Sequence, residues 1–330
     1  MCPADPSTRT AQEGAQLVRS LTPDVSIIIP AYNAETTIGG LIDSLLKENR
    51  VEMELIVVND GSTDATSNIV QRYNDPRIIL LEQENQGVYA ARNAALAVHC
   101  GEWVIFLDAD DCVADEFIYK RWCTAIETQA DVVLFNAWCG ADGEPARPVH
   151  SKQLYRQQLT GHKWIRHCVS QREWPHYLWL QITRSAYLHK HGIVFHAGKS
   201  HKDILWSVQL AVSNGVFYIS DHKDYTWRTN VASITHRADY FDYRALDYID
   251  VIDELHQQAH LPENRLIRSY LLRHALVEAR HFLGLYRRRV QKRTDIKKAF
   301  RNRVSLRLLW QGIRSFSDVC FFIKLVTKMK

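Results

Sequence analysis

Three carboxylates stand directly after a short apolar run, and this stretch constrains the fold more than any other. Residues 103–106 (WVIF) are typical of a buried parallel strand, and Asp108, Asp110 and Asp111 follow it. Clustered like charges are costly unless a cation or a hydrogen-bond network offsets them. Ligands of open α/β sheets bind outside the carboxyl ends of the strands. The pattern therefore indicates either a divalent metal with a phosphorylated ligand or a loop of solvated acids.

Strands and helices alternate through the first part of the chain. Short apolar strands are predicted at four segments, 25–29, 53–58, 77–81 and 102–107. Helices are predicted between them, at 36–47, 64–73 and 86–99. Such alternation indicates right-handed βαβ units and a parallel sheet. Neither a G-x-G-x-x-G nor a G-x-x-x-x-G-K-[ST] loop occurs, so a hard cation is the expected way to neutralise a bound pyrophosphate.

The pattern loosens after residue 131. A strand is predicted near 132–135, a helix at 204–212, and two separate strands at 216–219 and 225–228. From residue 240 the chain is predicted to be mostly helical to its end. No internal repeat or low-complexity segment occurs.

Charge is distributed unevenly along the chain. The 330 residues include 41 Lys and Arg against 37 Asp and Glu, but residues 264–330 hold 18 of the basic residues and only 3 of the acidic ones. An acidic body with a basic end predicts an anionic partner for that end, such as a membrane surface or nucleic acid.

Cysteine use and hydropathy limit the class of protein. The seven cysteines are odd in number and include no C-x-x-C pair, so a reducing cytoplasm fits better than a disulfide framework or a zinc site. The first 20 residues lack the apolar centre of a signal peptide. No run of 18 apolar residues occurs, so no membrane span is expected.

Four motifs occur in one order, and together they are far more specific than a lone D-x-D. They are SIIIPAYN at 26–33, VVNDGSTD at 57–64, AARNAA at 90–95 and FLDADD at 106–111. In this order they resemble the family-2 glycosyltransferases. The resemblance implies the GT-A fold, which is a Rossmann-like nucleotide-binding mixed sheet flanked by helices, here with a C-terminal helical extension.

The resemblance also implies a division of the chain. Residues 1–23 are expected to form a polar lead and residues 24–236 the GT-A catalytic domain. Within it, 24–135 would be the nucleotide-sugar half and 136–236 the acceptor half. Residues 237–330 would form a basic, amphipathic helical region.

The resemblance assigns the binding of a nucleotide sugar to a set of residues in the first half. They are Pro30, Ala31, Tyr32, Asn33, Asp60, Arg92, Asp108 and Asp110. Tyr32 would stack on the base, with a plain core tyrosine as the alternative. Asp60 would accept the uracil N–H, because a carboxylate only accepts hydrogen bonds. The alternative for Asp60 is a purely structural role in the turn that follows the strand.

The remaining donor residues would act on the phosphates and the metal. Arg92 would lie near the base and phosphates, unless it is a surface charge. Asp108 would contact the ribose or orient the metal, and Asp110 would ligate Mn²⁺ or Mg²⁺. Asp111 is expected to be a solvated or supporting acid, and Asp64 a helix cap.

Glycosyl transfer with inversion also needs a general base for the acceptor hydroxyl. The family usually places it in a Glu-Asp pair at the start of a helix, and Asp203 matches the aspartate. Lys202 replaces the glutamate. It could lower the pKa of Asp203 or contact an acidic acceptor, and it leaves open a chain without a working base. Helix N-capping is the structural alternative for Asp203.

Several other residues have two interpretations each. His236 could approach the diphosphate or metal, and Arg228 could contact phosphate, although either could be structural. Trp174, Tyr177 and Trp179 could form a sugar platform, but core packing is favoured for them.

The basic C-terminal region alternates cationic and apolar residues. This predicts amphipathic helices that attach to an anionic membrane surface, with helices docked on the catalytic domain as the alternative. Nucleic acid is not expected, because no recognition module accompanies the charge.

The sequence therefore predicts an inverting glycosyltransferase, cytoplasmic and peripheral on the inner face of the cell membrane. It would move a sugar from a nucleotide diphosphate sugar, with UDP favoured, to a hydroxyl of a lipopolysaccharide, capsule or other surface glycan, which could be lipid-linked. A non-catalytic nucleotide-sugar-binding or scaffold protein is the alternative. A nucleotidyltransferase is disfavoured, because no Gly-rich, Lys-containing phosphate loop occurs.

Overall fold

A mixed sheet with apolar packing on both faces organises the chain. The computed structural model describes residues 22–140, 146–227 and 240–330, and within them the sheet has nine strands. Alternate residues of a strand point to opposite faces. Ile28 and Ile56 accordingly enter one apolar cluster, while Ile27 and Leu55 enter the other. The strands are therefore covered on both sides, as expected for continuous β-branched runs.

The first half of the chain forms the predicted parallel units. The strands are β1 (Val25–Ala31), β2 (Met53–Asp60), β3 (Ile78–Gln83) and β4 (Trp103–Phe106). The helices are α1 (Ile38–Leu46), α2 (Thr66–Gln71), α3 (Val88–Leu96) and α4 (Phe117–Thr128). The four strands lie in the order β3-β2-β1-β4 and all pair in parallel. The predicted segments of this half are confirmed to within a few residues.

The second half extends the sheet with strands of both directions. They are β5 (Val132–Cys139), β6 (Arg147–Pro148), β7 (Gln157–Thr160), β8 (Gln181–Arg184) and β9 (Val216–Trp227). The helices are α5 (Gly161–Gln171), α6 (Ser185–His191) and α7 (Lys202–Val212). The order continues from β4 as β8-β5-β9-β7, and β6 pairs with β5. β8 runs antiparallel to both β4 and β5, so the sheet is mixed.

The prediction of two strands between 216 and 228 was wrong, because β9 is continuous from Val216 to Trp227. Its polar centre, residues 220–224, has the composition of a loop. That centre pairs with β5 nevertheless, through register shifts on either side of Asn136. An irregular register is a property of the paired strands and has no marker in either sequence alone.

Five helices follow and complete the described part of the chain. They are α8 (Tyr240–Gln258), α9 (Arg268–Arg288), α10 (Arg293–Arg303), α11 (Leu306–Gln311) and α12 (Phe316–Met329). Their apolar residues, including Leu276, Leu309 and Leu325, lie in the same cluster as Trp164 of α5 and Leu205 of α7. The helices are thus docked on the sheet domain. None of the helices in the described ranges is long and apolar enough to cross a membrane.

Candidate active site

The sheet topology gathers the predicted site residues along one cleft. The carboxyl ends of parallel strands meet at one edge of a sheet. Here β1, β2 and β4 deliver residues 30–33, Asp60 and the acidic loop that begins at Asp108. The cleft has a volume of about 2500 Å³. All eight predicted donor-binding residues line it, and so does Asp203.

Arg92 holds the first aspartate of the acidic loop. Its Nη2 donates to Asp108 Oδ1 at 2.6 Å, and its side chain is only 8% exposed. The guanidinium carbon lies 5.6 Å from the ring centroids of both Tyr89 and Phe195. The surface alternative for Arg92 is therefore excluded. A buried cation compensates part of the carboxylate crowding that made the loop improbable as a bare acidic cluster.

Asp111 stabilises the acidic loop through two hydrogen bonds on its inner side. Its Oδ2 accepts the backbone N–H of Asp108 at 2.8 Å, and its Oδ1 accepts the hydroxyl proton of Tyr225. Burial, followed by the neighbouring charge of Asp108, raises the pKa of Asp111 to about 8. Asp110 is exposed at the tip of the same loop. The three acids thus have different positions: Asp108 is ion-paired, Asp111 is internal, and Asp110 faces the solvent.

Asp60 supports the far side of the cleft. It is 3% exposed, and it accepts the backbone N–H groups of Gln86 and Gly87 at 2.8 Å each, together with Gln83 Nε2 at 2.7 Å. It therefore fixes the segment that begins α3. A carboxylate offers about four lone-pair sites, so one acceptor position is left for a ligand. Its role toward a base stays a prediction.

The loop after β1 is rigidly tied to the turn after β2. Asn33 Oδ1 accepts the N–H of Thr63 at 2.8 Å, and Asp64 accepts the N–H groups of Glu35 and Thr66. The cap position of α2 belongs to Ala65, so the prediction that Asp64 is the helix cap was wrong, although Asp64 bonds to the N–H of the first helical residue, Thr66. Tyr32 projects from this framework with 41% of its surface exposed, so it is not a core tyrosine.

Asp203 lies in the first turn of α7 and faces the cleft. Tyr89 Oη lies 3.4 Å from its Oδ1, and His176 Nε2 lies 3.9 Å from its Oδ2. The cap position of α7 belongs to His201, and no side chain makes a capping bond there. The capping alternative for Asp203 therefore does not apply. The carboxylate is partly exposed and has a tyrosine hydroxyl and an imidazole beside it.

Lys202 points away from the cleft. Its side chain is 1% exposed, and its Nζ lies 2.6 Å from Asp250 Oδ2 and 3.2 Å from Asp247 Oδ1, both on α8. A Cβ at Gly198 would lie 2.2 Å from Lys202 Cε, so this glycine leaves room for the lysine stem. The suggested contact between Lys202 and an acidic acceptor was wrong, because the ammonium is buried in an ion-pair network.

An aromatic stack links the surroundings of Asp203 to the acidic loop, and the sequence did not predict it. His176 stacks on Tyr177 at 4.7 Å, Tyr177 on Trp179 at 5.1 Å, and Trp179 on Tyr225 at 4.1 Å. Tyr225 then donates to Asp111. Trp179 is buried and Trp174 packs between Trp164 and His274, but Trp174, Tyr177 and Trp179 also line the cleft, so a sugar platform stays a prediction. The only sequence signal was aromatic density, because the stack needs β9 beside the segment at 176–180.

A divalent cation fits the donor set at the acidic loop. In the described part of the chain, no three His, Cys, Asp or Glu side chains are grouped as a self-contained metal site. Mg²⁺ bound with substrate phosphates takes only one or two protein carboxylates, so Asp110 beside Asp108 is sufficient for that type of site. Arg228 and His236 lie outside the described residues.

Comparisons with known proteins agree with the fold. The model of the Glycosyl transferase family 2 matches residues 26–198, more than half of the chain. The uncharacterized glycosyltransferase YibD of Escherichia coli K12 is 28% identical over 88% of this chain and 93% of its own length. The Escherichia coli glucosyltransferase WfgD is 47% identical over 26% of this chain and 35% of its own length.

The TarS 1–349 structure from S. aureus, in complex with UDP-GlcNAc, has a TM-score of 0.68 and 23% identity, covering 93% of this chain and 88% of that one. The mixed sheet and its flanking helices are those of a GT-A glycosyltransferase, as predicted. The chain belongs to the Glycosyl transferase family 2.

Replacing Lys202 tests whether its ion pairs stabilise the fold. We expect Lys202→Ala to lower the free energy of unfolding by about 3–5 kcal/mol, because Asp247 and Asp250 lose their buried cation. Denaturant unfolding measures this, with Lys190→Ala as a control on an exposed lysine of α6. An equal effect of both substitutions would show that the buried ammonium contributes nothing special.

Proposed function

We propose that this glycosyltransferase transfers a sugar from a nucleotide diphosphate sugar, preferably UDP-linked, to a hydroxyl of a surface glycan with inversion. Lipopolysaccharide, capsule and lipid-linked glycans are the acceptor class. The observation that carries the proposal is the single cleft that holds the donor residues of the first half together with Asp203 of the second. Donor, acceptor and base must meet at one place for an in-line displacement.

Each donor residue has a position suited to its proposed role. The exposed ring of Tyr32 is available to stack on a base, and Asp60 has an acceptor position left for an N–H group. Arg92 fixes the orientation of Asp108. Asp110 would hold Mn²⁺ or Mg²⁺. When bound, the ion supplies positive charge that stabilises the departing diphosphate.

Asp203 would remove the proton of the acceptor hydroxyl. A general base must be partly exposed to the substrate and held in one orientation. Asp203 meets both conditions, because its side chain is 22% exposed and Tyr89 contacts one of its oxygens. The attacking oxygen forms the new bond to the anomeric carbon while the bond to the diphosphate breaks on the opposite face.

The names of the relatives support the donor and acceptor classes. TarS is called a poly(ribitol-phosphate) β-N-acetylglucosaminyltransferase, and its structure is in complex with UDP-GlcNAc. WfgD is called a UDP-Glc:α-D-GlcNAc-diphosphoundecaprenol β-1,3-glucosyltransferase. Mannosyltransferase PcManGT from Pyrobaculum calidifontis, solved with GDP-Man and Mn²⁺, has a TM-score of 0.57 and supports a metal. Both named bacterial acceptors carry phosphate.

The non-catalytic alternative depended on Lys202 in place of a glutamate. Because Lys202 is engaged with α8, the substitution leaves Asp203 at the cleft and its carboxylate next to Tyr89 and His176. No contact in the described residues favours a scaffold over an enzyme.

A panel of nucleotide sugars with glycan acceptors tests the activity. We expect release of nucleoside diphosphate with at least one UDP-sugar, its loss on addition of EDTA, and recovery with Mn²⁺ or Mg²⁺. Asp110→Asn should reduce this metal-dependent release by at least about tenfold, since one carboxylate ligand is removed. Asp115→Asn changes an exposed acid outside the cleft and serves as the control. Absence of metal-dependent turnover or donor binding across the panel would refute the proposal.

Removing the charge of Asp203 tests the general base. We expect Asp203→Asn to lower the rate of transfer by about 10²–10⁴-fold, because the amide cannot take the proton. Affinity for UDP should stay within about twofold, since the donor residues lie on other elements. Rapid-quench measurement of transfer and calorimetric measurement of UDP binding separate the two effects. Undiminished transfer would assign the base to another residue.

We also propose that the protein works at the cytoplasmic face of the membrane, attached through the C-terminal helices. Supporting this, Phe316 is 83% and Trp310 is 53% exposed in a region rich in Arg and Lys.

Replacing both exposed aromatics tests this attachment. We expect Trp310→Ser with Phe316→Ser to reduce flotation with anionic liposomes at least about fivefold, because two large apolar side chains no longer enter the membrane surface and about 1.4 kcal/mol of lost binding energy is a tenfold change. Val98→Ser is the control at an exposed apolar residue of the first half. Equal flotation of all three proteins would contradict attachment through these helices.

A further inference from the structure

A group of cations lines the cleft on the side of the C-terminal helices, and the donor site does not use them. Its members are Lys199, Arg244, Arg288 and Arg289, here called the basic wall. Lys199 precedes α7, Arg244 lies on α8, Arg288 ends α9, and Arg289 is the cap residue that follows it. The predicted donor residues come instead from β1, β2, β4 and α3 or the loops that follow those strands.

The carboxylates of the described residues do not pair with the basic wall. Within the described ranges, none of its four cations lies within ion-pair distance of a carboxylate. Three of them contact aromatic rings instead: Lys199 Nζ lies 3.9 Å from the ring of Tyr243, the guanidinium of Arg244 lies 5.7 Å from that of Tyr248, and the guanidinium of Arg289 lies 5.3 Å from that of Phe241. Unpaired cations that share one concave surface attract an anion strongly, because they focus positive potential there.

Two further carboxylates that line the cleft already pair with other side chains. Asp318 pairs with Arg273 and Arg280, and Glu278 bonds to His274 and His281. Asp318 and Glu278 therefore already have partners of their own. The four cations of the basic wall remain as an excess of positive charge on this side of the cleft.

Arg244 provides the most specific sign of an absent ligand. Its Nε is buried and has no hydrogen-bond partner among the described residues. Its Nη2 makes only a long contact of 3.5 Å to Tyr248 Oη. A buried donor without a partner costs free energy, and a ligand oxygen would satisfy it.

The wall begins beside the helix that carries Asp203. Tyr248 lies next to Arg244 and also contacts the ring of His201 at 4.8 Å, and His201 is the cap residue of α7. Burial and then the charge of Arg244 lower the pKa of His201 to about 3, so His201 adds no charge at neutral pH. The wall therefore adjoins the start of the helix that carries Asp203, the proposed base.

We propose that the basic wall binds a phosphate group of the acceptor. Guanidinium groups match phosphate oxygens with two parallel hydrogen bonds, and three of the four cations are arginines. The inference rests on the proposed glycosyl transfer and assigns to its acceptor an anionic group. The favourable effect of cations at a helix C-terminus accounts for Arg288 and Arg289 alone, but not for Arg244 or Lys199.

Inorganic phosphate is the probe for the first experiment. The full-length protein is saturated with UDP and Mg²⁺, and phosphate binding is followed by ³¹P line broadening. We expect Arg288→Ala with Arg289→Ala to weaken phosphate binding at least tenfold. Arg287→Ala, which changes the neighbouring exposed arginine outside the cleft, should leave it within twofold. Thermal unfolding of each variant checks that the fold is intact.

Affinity for UDP separates this inference from the proposed function. All three proteins should bind UDP within twofold of one another. If the double variant loses UDP in parallel with phosphate, the cations serve the donor diphosphate and the inference is overturned. Phosphate binding that is equal in the double variant and the wild type overturns it as well. Loss of nucleotide-sugar turnover across the whole panel, by contrast, refutes the proposed function.

Two competitors distinguish the sources of the phosphate. A short poly(glycerol phosphate) oligomer represents phosphate within a glycan, and farnesyl diphosphate in detergent micelles represents a lipid linker. Displacement of inorganic phosphate by either one in the wild type, with loss of that competitor's binding in the double variant, supports the inference and names the source. Displacement by neither overturns it.

Discussion

The buried ammonium of Lys202 is the interaction on which the geometry of the cleft depends. It joins α7, which carries Asp203, to α8, the first of the C-terminal helices, through Asp247 and Asp250. Arg303 of α10 shares Asp250 and also contacts Asp253. A buried ion pair is weak evidence for net stability, but removal of one partner is strongly destabilising. The network therefore specifies the position of the C-terminal helices on the sheet domain more than it stabilises the fold.

The acidic loop depends on a second set of compensating contacts. Arg92 neutralises Asp108, while Asp111 takes the backbone N–H of Asp108 and the hydroxyl of Tyr225. Asp110 is exposed at the tip of the loop. The arrangement separates a structural task, performed by the inner acid, from the proposed task of metal binding at the tip. The crowding of carboxylates is relieved because Arg92 pairs with Asp108 and because burial raises the pKa of Asp111, which favours its neutral form.

Much of the structure of residues 24–135 could be predicted because the sequence signals there are local. The apolar runs of β1, β2 and β4 and the acids that follow them are contiguous in the sequence, so both the sheet and the positions of Asp60, Asp108 and Asp110 at its edge were predictable. The contacts of Lys202 and Asp111 were not. Each joins segments far apart in the chain, for example Asp111 with Tyr225, and depends on the register of β9 and on helix docking. The amphipathic pattern of α12 was visible, but packing against the protein core and attachment to a membrane produce the same periodicity.

Gly198 shows how closely the sheet domain and the C-terminal helices pack against each other. A side chain there would collide with the stem of Lys202 and with Asp247, so positions 198, 202, 247 and 250 act as one compatible set. A relative with the usual glutamate at position 202 would place a third carboxylate against the two aspartates of α8. The C-terminal helices of such a relative are therefore not interchangeable with those of this chain. A functional chimera would have to exchange α8 together with the short segment 198–202 that precedes Asp203.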